Sequence, residues 1–152
     1  MIDYKKLKEL RQKTGVSFSL CKKALENSKN DMKKALLFLE ELGSLKMKEK
    51  MKRDVKAGSI FSYVHHNGSI ASLIELSCET DFVSENEEFK TLGHEIAIQV
   101  ASLKPKNIKD LIEQEYVKDP SKKIKDLIND YILKFGEKIV ISKILFWEFG
   151  IK

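Results

Sequence analysis

The sequence predicts an α+β chain: helices first, then a small three-stranded antiparallel sheet packed with helices. Three observations carry that expectation. Up to residue 45 the apolar residues recur at three- and four-residue intervals, and near Gly58 the pattern changes to alternation. Asn67-Gly68, the strongest short-range hairpin signal, then separates two runs rich in β-formers. Finally, Ile139 to Phe149 is dominated by β-branched and aromatic residues, as a third strand would be. With 42% of its 152 residues hydrophobic and 34% charged, the chain has the material for a core and does not read as disordered.

Taken in order, Tyr4, Leu7 and Leu10 recur every third residue and Gly15 ends the first helix. Ser17 or Ser19 caps a second, in which Leu20 and Ala24, then Cys21 and Leu25, lie four apart. Asn30-Asp31 supplies the capping pair for a third with Ala35, Leu36, Leu39 and Leu42, and Gly43 is its expected stop. Three helices this short enclose little core, which suits partner binding better than catalysis. The run from Lys46 to Arg53 reads as part of a solvated linker helix over 46–57, with Met47, Met51 and Val55 on one face. The expected division is therefore 1–45, a 46–57 linker, and 58–152.

In the last of these parts, the hairpin sets His65 opposite Ile70 and His66 opposite Ser69. Phe61, Tyr63 and His65 then share a face with Ile70, Ser72 and Ile74, and Val64 shares the other with Ala71 and Leu73. Ser84 and Glu87 have capping-box spacing and open a helix with the stripe Phe89, Leu92, Ile96, Val100 and Leu103, closed by Pro105. Ile108, Leu111 and Ile112 suit a short helix with an extended exit through Tyr116-Val117. Asp119-Pro120-Ser121 opens a last helix that Gly136 ends.

The charge distribution excludes more than it proposes. The net charge is +5, yet residues 1–57 hold 16 Lys/Arg against eight acids, and residues 58–103 hold one lysine against seven acids. A dedicated nucleic-acid binder gathers its cations beside stacking aromatics, and Lys46–Arg53 has none, so no direct nucleic-acid partner is expected. No window approaches the ~18 consecutive apolar residues of a membrane span, and the charged N-terminus lacks an apolar leader, so a cytoplasmic location is expected. Phosphate-cradling glycine loops are absent. His65 and His66, as strand neighbours, point to opposite faces and make a poor metal pair. Cys21 and Cys78 sit at apolar positions, where an inert buried thiol is the default. Neither a catalytic residue, a metal nor a cofactor is expected, and the chain does not read as an enzyme.

The informative segment is Cys78-Glu79-Thr80-Asp81-Phe82-Val83-Ser84. Lying between a strand and a capped helix it should be a surface turn, yet it holds Phe82 and Val83. Either both fold back under the sheet, which composition alone favours, or they form a presented hydrophobic wedge beside the Asp81 carboxylate.

Leu-Ser-Cys-Glu-Thr-Asp-Phe-Val, with Thr80 to Val83 at its end, closely resembles the signature of elongation factor Ts, the guanine-nucleotide exchange factor family acting on elongation factor Tu. Leu7-Lys8-Glu9-Leu10-Arg11-x-Lys13-Thr14-Gly15, followed by Cys21-Lys22-Lys23-Ala24-Leu25, resembles that family's ubiquitin-associated-like N-terminal module. Ser62 to Gly68 resembles its hairpin and Ile96 to Ala101 its following helix. Val117 to Lys122 and Phe146 to Gly150 resemble its C-terminal part. The likeness spans nearly the whole chain in order. Two departures stand in the second helix, where Leu20 replaces a usual acid and Phe18-Ser19 an often methionine pair.

The resemblance implies a fold, a partner and site residues. The N-terminal three helices would be the ubiquitin-associated-like module and 58–152 the exchange and dimerisation domain. The partner would be the G domain of elongation factor Tu. Phe82 would be a wedge between two helices of that domain, with Asp81 competing for polar contacts and Thr80 and Val83 shaping the loop, so that the Mg²⁺ and phosphate sites are disturbed and GDP leaves. His65 would be a second contact, and Phe18, Ser19 and Lys22 a third. The chain has room for one copy of a core unit that longer members carry twice, which implies a homodimer. Two other readings remain on the residues alone: an RNA- or ribosome-associated protein using a basic helical arm over residues 46–56, and a bare ubiquitin-associated-like adaptor.

Overall fold

The computed structural model describes residues 1–50 and 52–151. The chain packs as two units, one of 1–52 with 129–136 and one of 53–128 with 137–152.

The first unit contains α1 (Tyr4–Thr14), α2 (Phe18–Asn27) and α3 (Met32–Lys50), together with the second half of α7 (Ile124–Phe135). The starts of α1 and α3 are held by short acidic side chains. Asp3 Oδ1 accepts from the backbone N–H of Lys5 at 2.9 Å, and Asp31 Oδ1 accepts from Lys33 at 3.0 Å and Lys34 at 3.1 Å. Those bonds, Lys34's first, hold the exposed Asp31 carboxyl below its ordinary range. The core is Leu7, Leu10, Val16, Cys21, Ala24, Leu25, Ala35, Leu39 and Leu133.

Tyr4 is exposed and does not join the stripe expected of it. Residues spaced by three drift about 60° per step around a helix of 3.6 residues per turn, so Tyr4 lies about 120° from Leu10. Gly43 does not stop α3, which continues to Lys50. A Cβ on Gly43 would stand 3.0 Å from Leu133 Cδ1, so this glycine serves close approach inside a helix, not its end. Asp54–Lys56 is irregular, and the expected face of a 46–57 helix falls on Met51 and the Met47 side chain, outside the described residues.

In the second unit β1 (Ala57–Val64), β2 (Ile70–Cys78) and β5 (Ile139–Glu148) form an antiparallel sheet in the order β1-β2-β5. Phe61 pairs with Ile74, Tyr63 with Ser72 and Val64 with Ala71, which is the expected register. The turn itself is wider than two residues. Gly68 N–H donates to His65 O at 2.8 Å, and Asn67 Oδ1 accepts from Ser69 N–H at 3.0 Å.

Helix α5 (Glu87–Leu103) covers the inner face with Phe89, Leu92, Ile96 and Val100, all buried, whereas Leu103 is exposed. Its N-cap is Asn86, whose Oδ1 accepts from Glu88 N–H at 2.8 Å. Ser84, expected as the cap, is buried one turn earlier and donates to Asp81 O. Between β2 and β5 the register shifts at Glu75/Leu76, skipping Ser142. That bulge lets Ile139 and Ile141 point inward while Lys143, Leu145 and Trp147 point outward.

The helix expected from Asp119 is displaced by a second, two-stranded sheet. After α6 (Ile108–Glu113), β3 (Glu115–Tyr116) pairs with β4 (Asp119–Lys123), and α7 starts only at Ile124. Asp119 Oδ1 accepts from Ser121 N–H at 3.2 Å, closing a local turn in place of a helix cap. The fully buried Gln99 then stitches the hairpin to α5: its Nε2 donates to Glu115 O at 2.9 Å, and its Oε1 accepts from Val117 N–H at 3.0 Å. The cap-like bond moves downstream, Asp126 Oδ2 accepting from Lys123 N–H at 3.0 Å.

Helix and sheet approach closely at Gly93, where a Cβ would fall 2.2 Å from Cδ2 of the buried Phe61 ring. Gly93→Ala is expected to destabilise the protein by ~1–3 kcal/mol, the range for overpacking a filled core, despite alanine's better helix propensity. Urea denaturation checks this, and Phe61→Leu in the Gly93→Ala background should recover part of the loss. An unchanged midpoint would contradict the packing described.

Candidate functional site

Thr80 to Ser84 leaves β2 through a single helical turn, α4 (Asp81–Ser84), which packs on β1 and β2. One turn of helix sends consecutive residues about 100° apart, so the turn can bury Val83 and Ser84 against the sheet while Phe82 points away from it. Val83 takes the inward position at 6% exposure, and Phe82 the outward one at 91%. The expectation that composition favours, both residues folded under the sheet, therefore holds for Val83 and fails for Phe82. A phenyl ring so exposed contributes nothing to this unit's own core, and Thr80 and Asp81 are exposed beside it.

Thr80 precedes the turn with φ −130° and ψ 158°, the extended geometry of an N-cap, yet its hydroxyl makes no capping bond. It donates instead to Glu137 Oε2 at 2.6 Å, and the Thr80 backbone N–H donates to Glu137 Oε1 at 3.0 Å. The Thr80 carbonyl accepts from the Cys78 thiol at 3.3 Å and from Ser84 N–H at 3.2 Å. Burial pushes the Cys78 thiol up to about 11, and the Glu137 carboxylate adds to the push. At neutral pH the thiol is thus protonated and able to donate. The adjoining Glu79 accepts from Lys138 N–H at 2.7 Å and meets Arg53 at 3.4 Å. The Arg53, Glu137 and Lys138 partners sit 26 to 59 residues away in sequence, out of reach of local signals.

His65 lies at the other end of the β1–β2 ladder, half-buried, with Nδ1 2.8 Å from the Tyr63 hydroxyl. Seven residues of β2 separate the two ends, about 23 Å at strand rise, so one copy does not bring His65 and Phe82 together. His65 and His66 do not point to opposite faces as a continuous strand would require. The strand stops at Val64, His66 enters the turn, and the two rings lie 4.2 Å apart between centroids. Among the described residues no group of three or more His, Cys, Asp or Glu is placed to hold a metal ion. Also among them, no helix is long and apolar enough to cross a membrane.

Phe18, Ser19 and Lys22 are exposed on the first turns of α2. Ser17 stands at its N-cap but bonds the Ser19 hydroxyl at 3.3 Å, so neither serine caps the helix with its side chain. The sheet carries apolar residues on both faces. On the face away from α5, Ile60, Val64, Leu73, Leu145 and Trp147 are exposed, Trp147 by 73%. Ile60, Leu73 and Leu145 also line a shallow open depression of about 920 Å³, together with Glu75 and Lys143, which pair across β2 and β5.

Two family models match this chain: one described as Elongation factor TS over residues 79–149, and one as Elongation factor Ts, mitochondrial, N-terminal, over residues 2–44. Curated relatives include the elongation factor Ts of Coprothermobacter proteolyticus, 34% identical over 95% of this chain and 96% of its own length. Those of Thermotoga neapolitana and Thermotoga maritima are each 37% identical over 95% of this chain, covering 95% and 94% of their lengths.

The opposite placements of Phe82 and Val83 are open to direct test. Phe82→Ala should leave stability within about 0.5 kcal/mol of the parent, as for surface substitutions, while Val83→Ala should cost ~1–2 kcal/mol. Urea denaturation of the two variants separates them, and a large loss with Phe82→Ala would place that ring in the core after all.

Proposed function

The chain belongs to the elongation factor Ts family of translation elongation factors, and on that premise we propose that it is a guanine-nucleotide exchange factor for elongation factor Tu. The observation that carries this reading is the outward Phe82 on an anchored turn. A rigid aromatic of low conformational entropy, exposed on a pre-shaped loop, is the kind of side chain that dominates binding at protein interfaces.

The mechanism needs no bond-making residue in this chain, and the protein is not an enzyme in that sense. It binds the nucleotide-free partner more tightly than the GDP-bound one, and by linkage GDP is weakened by the same factor. Phe82 enters an apolar pocket of the G domain, and Asp81 competes for polar contacts near the partner's Mg²⁺ and phosphate site. Thr80 and Val83 hold the turn in shape, Val83 from within the core. His65 makes a second contact, and Phe18, Ser19 and Lys22 a third. The activity is carried out in the cytoplasm without nucleic acid or membrane as direct partner.

The uncovered sheet face supports a homodimer. Large apolar residues there would be hidden by a second copy across a two-fold axis, and the opposed charges of Glu75 and Lys143 suit self-pairing at the rim. Since Phe82 and His65 lie at opposite ends of the ladder, a dimer would offer two of each to the partner.

The decisive experiment follows a fluorescent GDP analogue leaving elongation factor Tu. Substoichiometric amounts of the protein should speed release, which neither an RNA-binding protein nor a bare adaptor would do. Phe82→Ala should lower the rate by roughly 30-fold or more, matching a hot-spot loss of ~2 kcal/mol. Release unaffected by the parent protein would end the reading.

Assembly is tested separately. Sedimentation equilibrium at micromolar concentration should give twice 17.5 kDa, and Leu73→Glu/Leu145→Glu should give the monomer, because two charges buried without partners outweigh the apolar gain. A parent protein that sediments at the single-chain mass refutes the dimer.

A further inference from the structure

We propose that Glu137 is a positioning residue for the Phe82 turn, acting through Thr80. The inference deepens the exchange reading and rests on it. Glu137 lies between the end of α7 and the start of β5, 57 residues from Thr80 in sequence, yet both its carboxylate oxygens are used on that one residue. A carboxylate accepting two hydrogen bonds from the backbone N–H and the hydroxyl of the same residue fixes that residue's position and also its rotation.

The direction of the Thr80 hydroxyl is the telling detail. At an N-cap the hydroxyl ordinarily accepts from an N–H of the following turn. Here it is turned away and donates to Glu137, so α4 begins without a side-chain cap. A four-residue turn with no cap of its own needs an outside hold to keep one orientation. Glu137 supplies it on the N–H side of Thr80, and the Cys78 thiol, 3.3 Å from the Thr80 carbonyl, supplies it on the other. With Thr80 fixed and Val83 buried, Phe82 between them has one outward direction left.

Glu137 touches neither Phe82 nor, on this reading, the partner. Its effect is pre-organisation: a turn already oriented loses less entropy when the ring is inserted. Removing the hold should therefore act only while the Phe82 ring is present.

The test uses Glu137→Gln, which keeps the shape but replaces the charge-assisted pair by neutral bonds, its Nε2 able only to donate to the Thr80 hydroxyl, and Thr80→Val, which removes that hydroxyl. In the free protein, hydrogen exchange at the Thr80 amide should speed up roughly tenfold in Glu137→Gln, the scale of one weakened charge-assisted bond. With elongation factor Tu carrying the fluorescent GDP analogue, release should slow about three- to tenfold in Glu137→Gln, Thr80→Val and the double variant alike, because both remove the same charge-assisted bond from the Thr80 hydroxyl to the carboxylate. Thr80→Ser should restore it.

In the Phe82→Ala background, Glu137→Gln should have no further effect. The proposal is overturned if the Thr80 amide keeps its protection in Glu137→Gln, or if Glu137→Gln slows release as much without the Phe82 ring as with it. Failure of the exchange reading looks different: the parent protein itself would then not speed GDP release from elongation factor Tu, whatever happens to the Thr80 amide in Glu137→Gln.

Discussion

The ladder between β2 and β5 joins Cys78 to Ile139 and Ile70 to Glu148, so some sixty residues of chain must be closed into a loop before it can form. Loop closure is costly in entropy, though slowly growing with length, and the return comes only when the inner face is sealed against α5. Ile139 and Ile141 supply the C-terminal part of that seal, and the bulge at Glu75/Leu76 is what allows them to do so. Without the skipped Ser142, the alternation carried on from Ile139 and Ile141 would turn Lys143 into the core. Much of the second unit follows from this pairing, including the arrival of Glu137 beside Thr80.

At the end of β2 the chain must leave the sheet, and it does so on four residues of helix. A strand presents neighbours to opposite faces, and a helical turn sends them about 100° apart. A strand would split Phe82 from Val83 and a helical turn allows it, but only the tertiary contacts of α4 with β1 and β2 decide which of them goes in. The β-branched residue fills the core position and the aromatic is left outside. Core packing and an exposed aromatic therefore fall on adjacent residues, so damage to one need not be damage to the other. Polar groups around the turn are held by Glu79, Glu137 and the neutral Cys78 thiol.

The sheet's two faces are treated unequally. The inner one is sealed by Phe89, Leu92, Ile96 and Val100, while Ile60, Leu73 and Leu145 on the outer one are left to solvent within one copy. An antiparallel sheet with a solvated face usually carries polar residues there. Finding leucines, an isoleucine and a tryptophan instead is a feature of amino-acid choice, not of backbone geometry.

Signals that act over a few residues were readable in the sequence. The caps at Asp31, the register set around Asn67-Gly68, the α5 stripe up to Val100 and the strand at Ile139 each depend on neighbours within about one turn or one hairpin. The family was readable too, because several ordered motifs together specify far more than any one of them. What failed were inferences in which a local signal competes with a distant contact. Gly43 reads as a stop, but Leu133 passing close by makes it an interior glycine. Asp119-Pro120-Ser121 reads as a helix start, but Gln99 bonds the segment into a hairpin. The orientation of Phe82, the use of Glu137 and the exposure of the outer face were decided only when the chain closed on itself, since each depends on which distant surface is already occupied.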